Sequence, residues 1–229
     1  MFNPARRSSQ ETVYLEPADS PLTSDSAANE KQVNFTNNWF DITAKPIWDI
    51  LVPQVSPRTI LEIGSFEGAS ACYLIENCAS KYPIELHCID TWEGGVEHQQ
   101  LEMNAVEKKF HENIEIVRRR AQNKISLSIH KGRSDRCLIK LLANGLYEHF
   151  DFIYIDGSHQ APDVLSDAVF SFSLLKIGGT MVFDDYLWRL NDCLQTPKPA
   201  IDAFTNIYFH KTQVCCFRNS QVVTKKTAS

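Results

Sequence analysis

Leu61-Glu62-Ile63-Gly64-Ser65-Phe66-Glu67-Gly68-Ala69-Ser70 decides how the rest of this chain is read. Ile60, Leu61 and Ile63 make the end of a buried strand, the glycines punctuate a turn, and Ala69-Ser70 begin a helix. A strand, a glycine turn and a helix N-terminus form a ligand site, because glycine lets a ligand approach bare backbone. Charge and spacing narrow the ligand. A dinucleotide fingerprint is G-x-G-x-x-G, its middle glycine leaving room for a pyrophosphate. Here that middle position is Phe66, and Glu62 stands at the strand end. A carboxylate repels a pyrophosphate and suits an ammonium group.

A second acid extends the pattern. Ile84-Glu85-Leu86-His87-Cys88-Ile89-Asp90 alternates as a strand and ends on Asp90, with Thr91 and Trp92 next. An acid about twenty residues past the glycines, at the end of the following strand, is placed to bond both hydroxyls of a ribose. Trp92 is expected to pack on an adenine or ribose, or else to be a half-buried loop aromatic.

Strand and helix signals then alternate. Strands are expected at 59–64, 84–90, 125–131, 151–156 and 178–184. Helices are expected near 68–80, 100–118, 134–146 and 163–175. In the last of these Pro162 and Asp163 suit a first turn, and Val164, Leu165, Ala168, Val169, Phe172 and Leu175 share one face. Apolar strands alternating with helices mean an α/β fold with a doubly wound, Rossmann-like, mainly parallel sheet. The tail adds a helix at Ala200–Tyr208 and a closing antiparallel hairpin, Thr212–Phe217 and Gln221–Thr224, around Arg218-Asn219-Ser220. Residues 1–33 are polar and aperiodic and are expected to be a flexible arm, leaving 34–229 as a single domain. Phe35–Leu51 gathers Phe35, Trp39, Phe40, Ile47, Trp48 and Leu51 ahead of the first strand, as a helix covering the sheet or a lid over the ligand.

Composition excludes several classes. The chain has 229 residues, 43% hydrophobic and 22% charged, enough for one α/β core. A net charge of −5 argues against a general nucleic-acid binder. The basic run Arg118-Arg119-Arg120 ends a helical segment, where cations meet the helix dipole favourably. Seven cysteines are odd in number and lack any C-x-x-C pair, which fits neither a disulfide framework nor a zinc site and implies a reducing, cytoplasmic setting. No run approaches the roughly twenty apolar residues of a membrane span, and the N-terminus lacks a signal-peptide pattern. Membrane and nucleic acid are therefore not expected as partners, and self-association is left open.

Ligands of open α/β sheets bind beyond the carboxyl ends of the strands. One strand ends Tyr154-Ile155-Asp156-Gly157-Ser158-His159 and the next ends Val182-Phe183-Asp184-Asp185-Tyr186. In a parallel sheet these ends are neighbours, so Asp156, Asp184 and Asp185 are expected to converge. Like charges that close call for a cation, and hard oxygen ligands on rigid strand ends suit Mg²⁺. The alternative is that Asp184 or Asp185 caps the following segment and Asp156 alone faces the ligand.

The run from Glu62 through Asp90, then Phe150–Ala168 and Leu174–Tyr186, resembles the class I S-adenosylmethionine-dependent methyltransferases. Within them it is similar to the small bacterial O-methyltransferases related to catechol-type and sugar- or antibiotic-tailoring enzymes. The likeness covers residues of about 35 to 210, and D-G-S-H with G-G-x-x-x-x-D-D-Y are its most specific marks. It implies S-adenosylmethionine as cofactor, held by Glu62, Gly64, Ser65, Gly68, Ala69, Ser70, Asp90, Thr91, Trp92 and Asp156. The loop Lys131-Gly132-Arg133-Ser134 would meet the adenine, Ser134 being alternatively a helix cap. Asp156, Asp184 and Asp185 would hold the divalent metal. Catechol-type members carry Asn as the third ligand, so Asp185 follows the sugar-tailoring branch, and their lysine base has no match here.

The chemistry implied is O-methylation of a hydroxylated small molecule, a sugar, a phenol or another natural product. A base must take the hydroxyl proton, and a metal would lower its pKa. His159, three residues past Asp156, is the expected base, with Asp156 beside it; its alternative role is to hold the loop. The rival readings are a metal-independent or protein-directed methyltransferase, and an NAD-linked oxidoreductase on the same topology, against which Glu62, Phe66 and the closing hairpin count.

Overall fold

The computed structural model describes residues 31–95 and 98–229. The arm expected over 1–33 therefore lies, for residues 1–30, outside the described residues. Two helices, α1 (Trp39–Thr43) and α2 (Lys45–Val55), precede the first strand β1 (Thr59–Ile63). The alternation follows: α3 (Ala69–Cys78), β2 (Ile84–Asp90), α4 (Met103–Arg120), β3 (Ile125–Lys131), α5 (Ser134–Ala143), β4 (Phe150–Ile155), α6 (Ala161–Leu174) and β5 (Leu175–Phe183). The chain closes with α7 (Lys198–Ile207), β6 (Thr212–Arg218) and β7 (Gln221–Lys226).

One seven-stranded sheet runs in the order β3-β2-β1-β4-β5-β7-β6. Strands β1 to β5 are parallel, and β7 lies antiparallel between β5 and β6. The order reverses between β1 and β4, and a switch point of this kind opens a crevice beyond the strand ends. Both faces are covered, as the apolar strands require. Ile60, Leu86, Phe152 and Tyr154 pack with α2, α3 and α4, while Leu61, Ile63, Ile153 and Ile155 pack with α5, α6 and α7. Each fully buried Leu, Ile or Phe contributes about 1.5–3 kcal/mol.

Two segments differ from the sequence reading. The stretch Phe35–Leu51 divides at Ala44 into two helices. Trp48 on α2 is fully buried, edge-on to Phe152 and Tyr154, so α2 covers the sheet. Trp39 and Phe40 on α1 instead line the ligand cavity. Strand β5 begins at Leu175, not 178, because Phe150 pairs with Leu175 before an irregularity in the β4–β5 register. The helix α6 thus runs straight into the strand, and buried Lys226 donates to the carbonyls of Phe172 and Leu175 at that junction. In the hairpin, Asn219 (φ 48°) and Ser220 (φ 69°) are the two positive-φ residues of a tight turn.

The cysteines Cys72, Cys78, Cys88 and Cys137 are buried as small hydrophobes, and no disulfide joins any of the seven. Arg118 and Arg119 at the end of α4 pair with Glu115. Among the described residues no helix is long and apolar enough to cross a membrane.

Candidate active site

The glycine turn is built from its own strand. Gly64 (φ +86°) donates its N–H to Ile89 O, and a Cβ there would stand 1.9 Å from the carbonyl oxygen of Asp156. Only glycine lets β1 pass this close to the end of β4. Gly68 (φ +84°) caps α3 in the left-handed region. Glu62 corrects the expectation of an ammonium contact. It is fully buried, its carboxylate accepting the Ser65 and Ser70 hydroxyls, each at 2.5 Å, and it is absent from the cavity wall. Burial pushes its carboxyl up in pKa and the two hydroxyls oppose that rise. Glu62 orders the turn from behind; Gly64, Ser65, Ala69 and Ser70 form its open side.

Asp90 ties this turn to β2. Its Oδ2 accepts the N–H groups of Ser65 (2.9 Å) and Phe66 (2.8 Å), and its Oδ1 accepts that of Trp92 (2.7 Å). Asp90 and Thr91 line the cavity. Trp92 does not, which corrects its expected stacking on the ligand. It is 4% exposed, packs against Phe110, and donates its indole N–H to Phe66 O, fixing the turn from below. The ring beside the ligand space is Phe66 itself, stacked on His98 and near Trp39. Phe66 was legible only as a misfit to a pyrophosphate loop. Glu67 also lines the cavity and accepts the N–H and hydroxyl of Thr36. On the far side Gly132, Arg133 and Ser134 complete the wall, the Gly132 N–H donating to Asp90 O. Arg133 reaches Asp135 and Asp163.

Gly64 to Glu67, Ala69, Ser70, Asp90, Thr91 and Gly132 to Ser134 border one cavity of about 1000 Å³ that continues to Asp156, His159, Asp184, Asp185 and Trp188. At that end Tyr154, a buried residue that reads from sequence as core, has its hydroxyl within hydrogen-bonding reach of both Asp156 Oδ2 (2.9 Å) and Asp184 Oδ2. Asp184 Oδ2 also accepts Gln221 Nε2 (2.8 Å), and Asp184 Oδ1 accepts the Asp185 N–H (2.8 Å). Burial, then Asp184 and Asp185, hold the Asp156 carboxyl well above the usual range. Burial and Asp185 push Asp184 up to about 6. Asp185, at φ 56°, turns its Oδ2 to within 2.8 Å of His159 Nε2. The His159 ring stacks on Trp188 with centroids 4.2 Å apart.

The three aspartates are therefore brought together at the far end of the cavity. Among the described residues no group of three or more His, Cys, Asp or Glu side chains has a metal-holding arrangement. Asp184 spends its oxygens on Tyr154, Gln221 and backbone, and Asp185 turns to His159. S-adenosylmethionine, by contrast, fits the other half: the Gly64-Ser65 turn and Ala69-Ser70 on the wall, an acid at the end of β2, and a wall at 132–134.

Residues 61–186 match a family model described as a methyltransferase domain. An uncharacterized protein of Acanthamoeba polyphaga mimivirus is 30% identical over 131 residues, 56% of this chain; the match spans about half (51%) of that relative's length. Two solved structures share the fold. One is the O-methyltransferase TomG of Streptomyces achromogenes, involved in tomaymycin synthesis and solved with S-adenosylmethionine: TM-score 0.56, 17% identity, covering 80% of this chain and 78% of that one. The other is an O-methyltransferase of Bacillus cereus solved with S-adenosylhomocysteine: TM-score 0.59, 18% identity, covering 88% and 86%. With more than half its length inside the family model, and the sheet order and glycine turn described above, the chain belongs to the methyltransferase domain family.

Proposed function

We propose that this protein transfers a methyl group from S-adenosylmethionine to a hydroxyl of a small molecule. The observation that carries the reading is the His159–Asp185 pair at the rim of the same cavity that begins at the glycine turn. S-adenosylmethionine supplies an electrophilic sulfonium methyl, so the protein's own work is to align the acceptor and take its proton. Gly64–Ser70, Asp90 and Gly132–Ser134 hold the cofactor, with Glu62 and Trp92 bracing the turn beneath it.

The base is the pair, not His159 alone. His159 Nδ1 is buried, so the ring meets the cavity side through Nε2, where Asp185 stands. Nε2–H already donates to the Asp185 carboxylate, so the proton leaving the acceptor is taken on Asp185 while this bond holds the carboxylate in place, and Trp188 keeps the ring in plane. No step runs through a metal. The acceptor is small and hydroxylated; sugar, phenol and other natural products remain its candidate classes.

The test is a methyl-transfer screen over such acceptors with labelled cofactor, wild type against His159→Gln. Transfer by the wild type that drops about 10²–10⁴-fold in the variant, with S-adenosylhomocysteine affinity kept, supports the reading. Equal loss of binding and rate would make His159 a loop residue.

A further inference from the structure

Residues 31–36 run beside α4 toward the site and are fastened there by side chains of α4 and of the glycine turn. Val33 and Phe35 pack inward against the core, while Asn34 and Thr36 stay exposed. Arg120 Nη2 donates to the Lys31 carbonyl (2.6 Å). About two helical turns earlier on α4 stands Asn113, 2% exposed among the buried Phe110, Ile114 and Val117. Its Oδ1 accepts the Asn34 N–H (2.8 Å), and its Nδ2 donates to Asn34 O (3.1 Å) and Glu67 O (3.0 Å). Further along, both carboxylate oxygens of buried Glu67 serve Thr36. Oε2 accepts its N–H (2.6 Å) and Oε1 its hydroxyl (2.9 Å), with Lys109 Nζ 3.5 Å away.

A buried amide where the neighbouring positions are apolar is unfavourable unless it is bonded. Each of the Asn113 bonds goes to the segment or to the glycine turn. Glu67 is itself part of that turn, next to Phe66. Beyond Thr36 the chain enters α1, whose Trp39 lines the cavity with its ring centroid 5.6 Å from that of Phe66. The fastened segment thus leads to the point where the α1 wall of the cavity meets the wall made by the turn.

We propose that Asn113 and Glu67 are positioning residues that lock residues 34–36 onto the glycine turn. Through that segment they hold Trp39 against Phe66, so that a ligand seated on the turn is closed in by α1. The fastening rests on the contacts above; that the ligand is S-adenosylmethionine rests on the methyltransferase reading.

Amide hydrogen exchange and stopped-flow binding on the full chain test this. In the free protein the Asn34 and Thr36 amides should exchange slowly. Both should quicken by about tenfold in Asn113→Leu, which keeps the core face of α4 apolar, while β1 and β4 exchange as before. Dissociation of S-adenosylhomocysteine should also be about tenfold faster, the scale of one lost hydrogen bond, with association nearly unchanged. In a Trp39→Ala background Asn113→Leu should add nothing to dissociation, since the fastening acts through that ring. Thr36→Val, at an exposed position, removes only the hydroxyl bond and should speed dissociation about threefold, whereas Thr36→Ser should keep the wild-type rate. This pair decides if Asn113→Leu does not fold. Unchanged exchange at 34 and 36 in Asn113→Leu, an equal effect of that substitution with and without Trp39, or Thr36→Val behaving like Thr36→Ser would each overturn the proposal. Amides that loosen as expected in a protein that binds no S-adenosylhomocysteine would uphold the fastening and strike the methyltransferase reading instead.

Discussion

Asp185 Oδ2 lies 2.8 Å from His159 Nε2, while the two residues come from different strand ends, β5 and β4. The pairing depends on Asp185 holding φ 56° directly after Asp184, whose Oδ1 accepts the Asp185 N–H. Asp185→Asn keeps the shape and removes the carboxylate that takes the acceptor's proton. Turnover should fall about 10²–10³-fold with little change in cofactor affinity. Steady-state kinetics beside calorimetry check this, and a loss confined to cofactor binding would refute the pair.

Asp90 supports the turn as well as facing the ligand. Asp90→Ala removes the acceptor of three backbone N–H groups, each bond to a charged group being worth about 1.5–3 kcal/mol. Affinity for S-adenosylhomocysteine and the melting temperature should therefore fall together. A drop in affinity with an unchanged melting curve would mean that the carboxylate serves the ligand alone.

Gly64 should tolerate no side chain. Gly64→Ala forces a Cβ to 1.9 Å from a backbone oxygen in a left-handed conformation, a cost of about 3–5 kcal/mol. Chemical denaturation should show that loss, and Gly145→Ala, with open space around it, should lose far less.

Metal removal should matter little. Since Asp184 and Asp185 turn their oxygens to Tyr154, Gln221 and His159, Mg²⁺ should leave the melting temperature unchanged and excess EDTA should leave transfer intact. An Mg²⁺-dependent rise in melting temperature, absent in Asp184→Ala, would restore the ligand set.

The buried acids also set a pH dependence. Asp167 has a folded pKa of about 7 against a reference of 3.8, so its protonated form is the one the fold favours. Its contribution is fully present below pH 3.8 and is lost as pH rises toward 7. Asp167→Asn should accordingly melt higher than wild type at pH 8 and no higher at pH 4.

Much of this was legible because it is periodic or local. The alternating strands and helices, the glycine turn and the closing hairpin follow from residues adjacent in sequence. The convergence of Asp156 with Asp184 and Asp185 follows from topology, since parallel neighbours end side by side. What failed was direction. Glu62 and Trp92 stand where a ligand contact is expected, but hydrogen bonds to Ser65, Ser70 and Phe66 O turn them behind the turn. Tyr154 reads as an inward aromatic of β4, and nothing local shows that its hydroxyl reaches two aspartates. Gln221 comes from the far hairpin, and Asp185 meets His159 across two strand ends. Such partners are set by packing between elements, which spacing along the chain does not encode.

The phenol of Tyr154 has one hydrogen and two carboxyl oxygens within bonding reach, on Asp156 and Asp184. It can donate to one of them only, so the other contact is a hydrogen bond only when that carboxyl carries a proton and donates it to the phenol oxygen. Both acids have raised pKa values, which agrees with such sharing. A proton held at this point would leave the site with one less negative charge than its three aspartates suggest. An acceptor entering from water would meet a less repulsive wall, and an anionic one would be admitted more readily than a count of acidic residues allows.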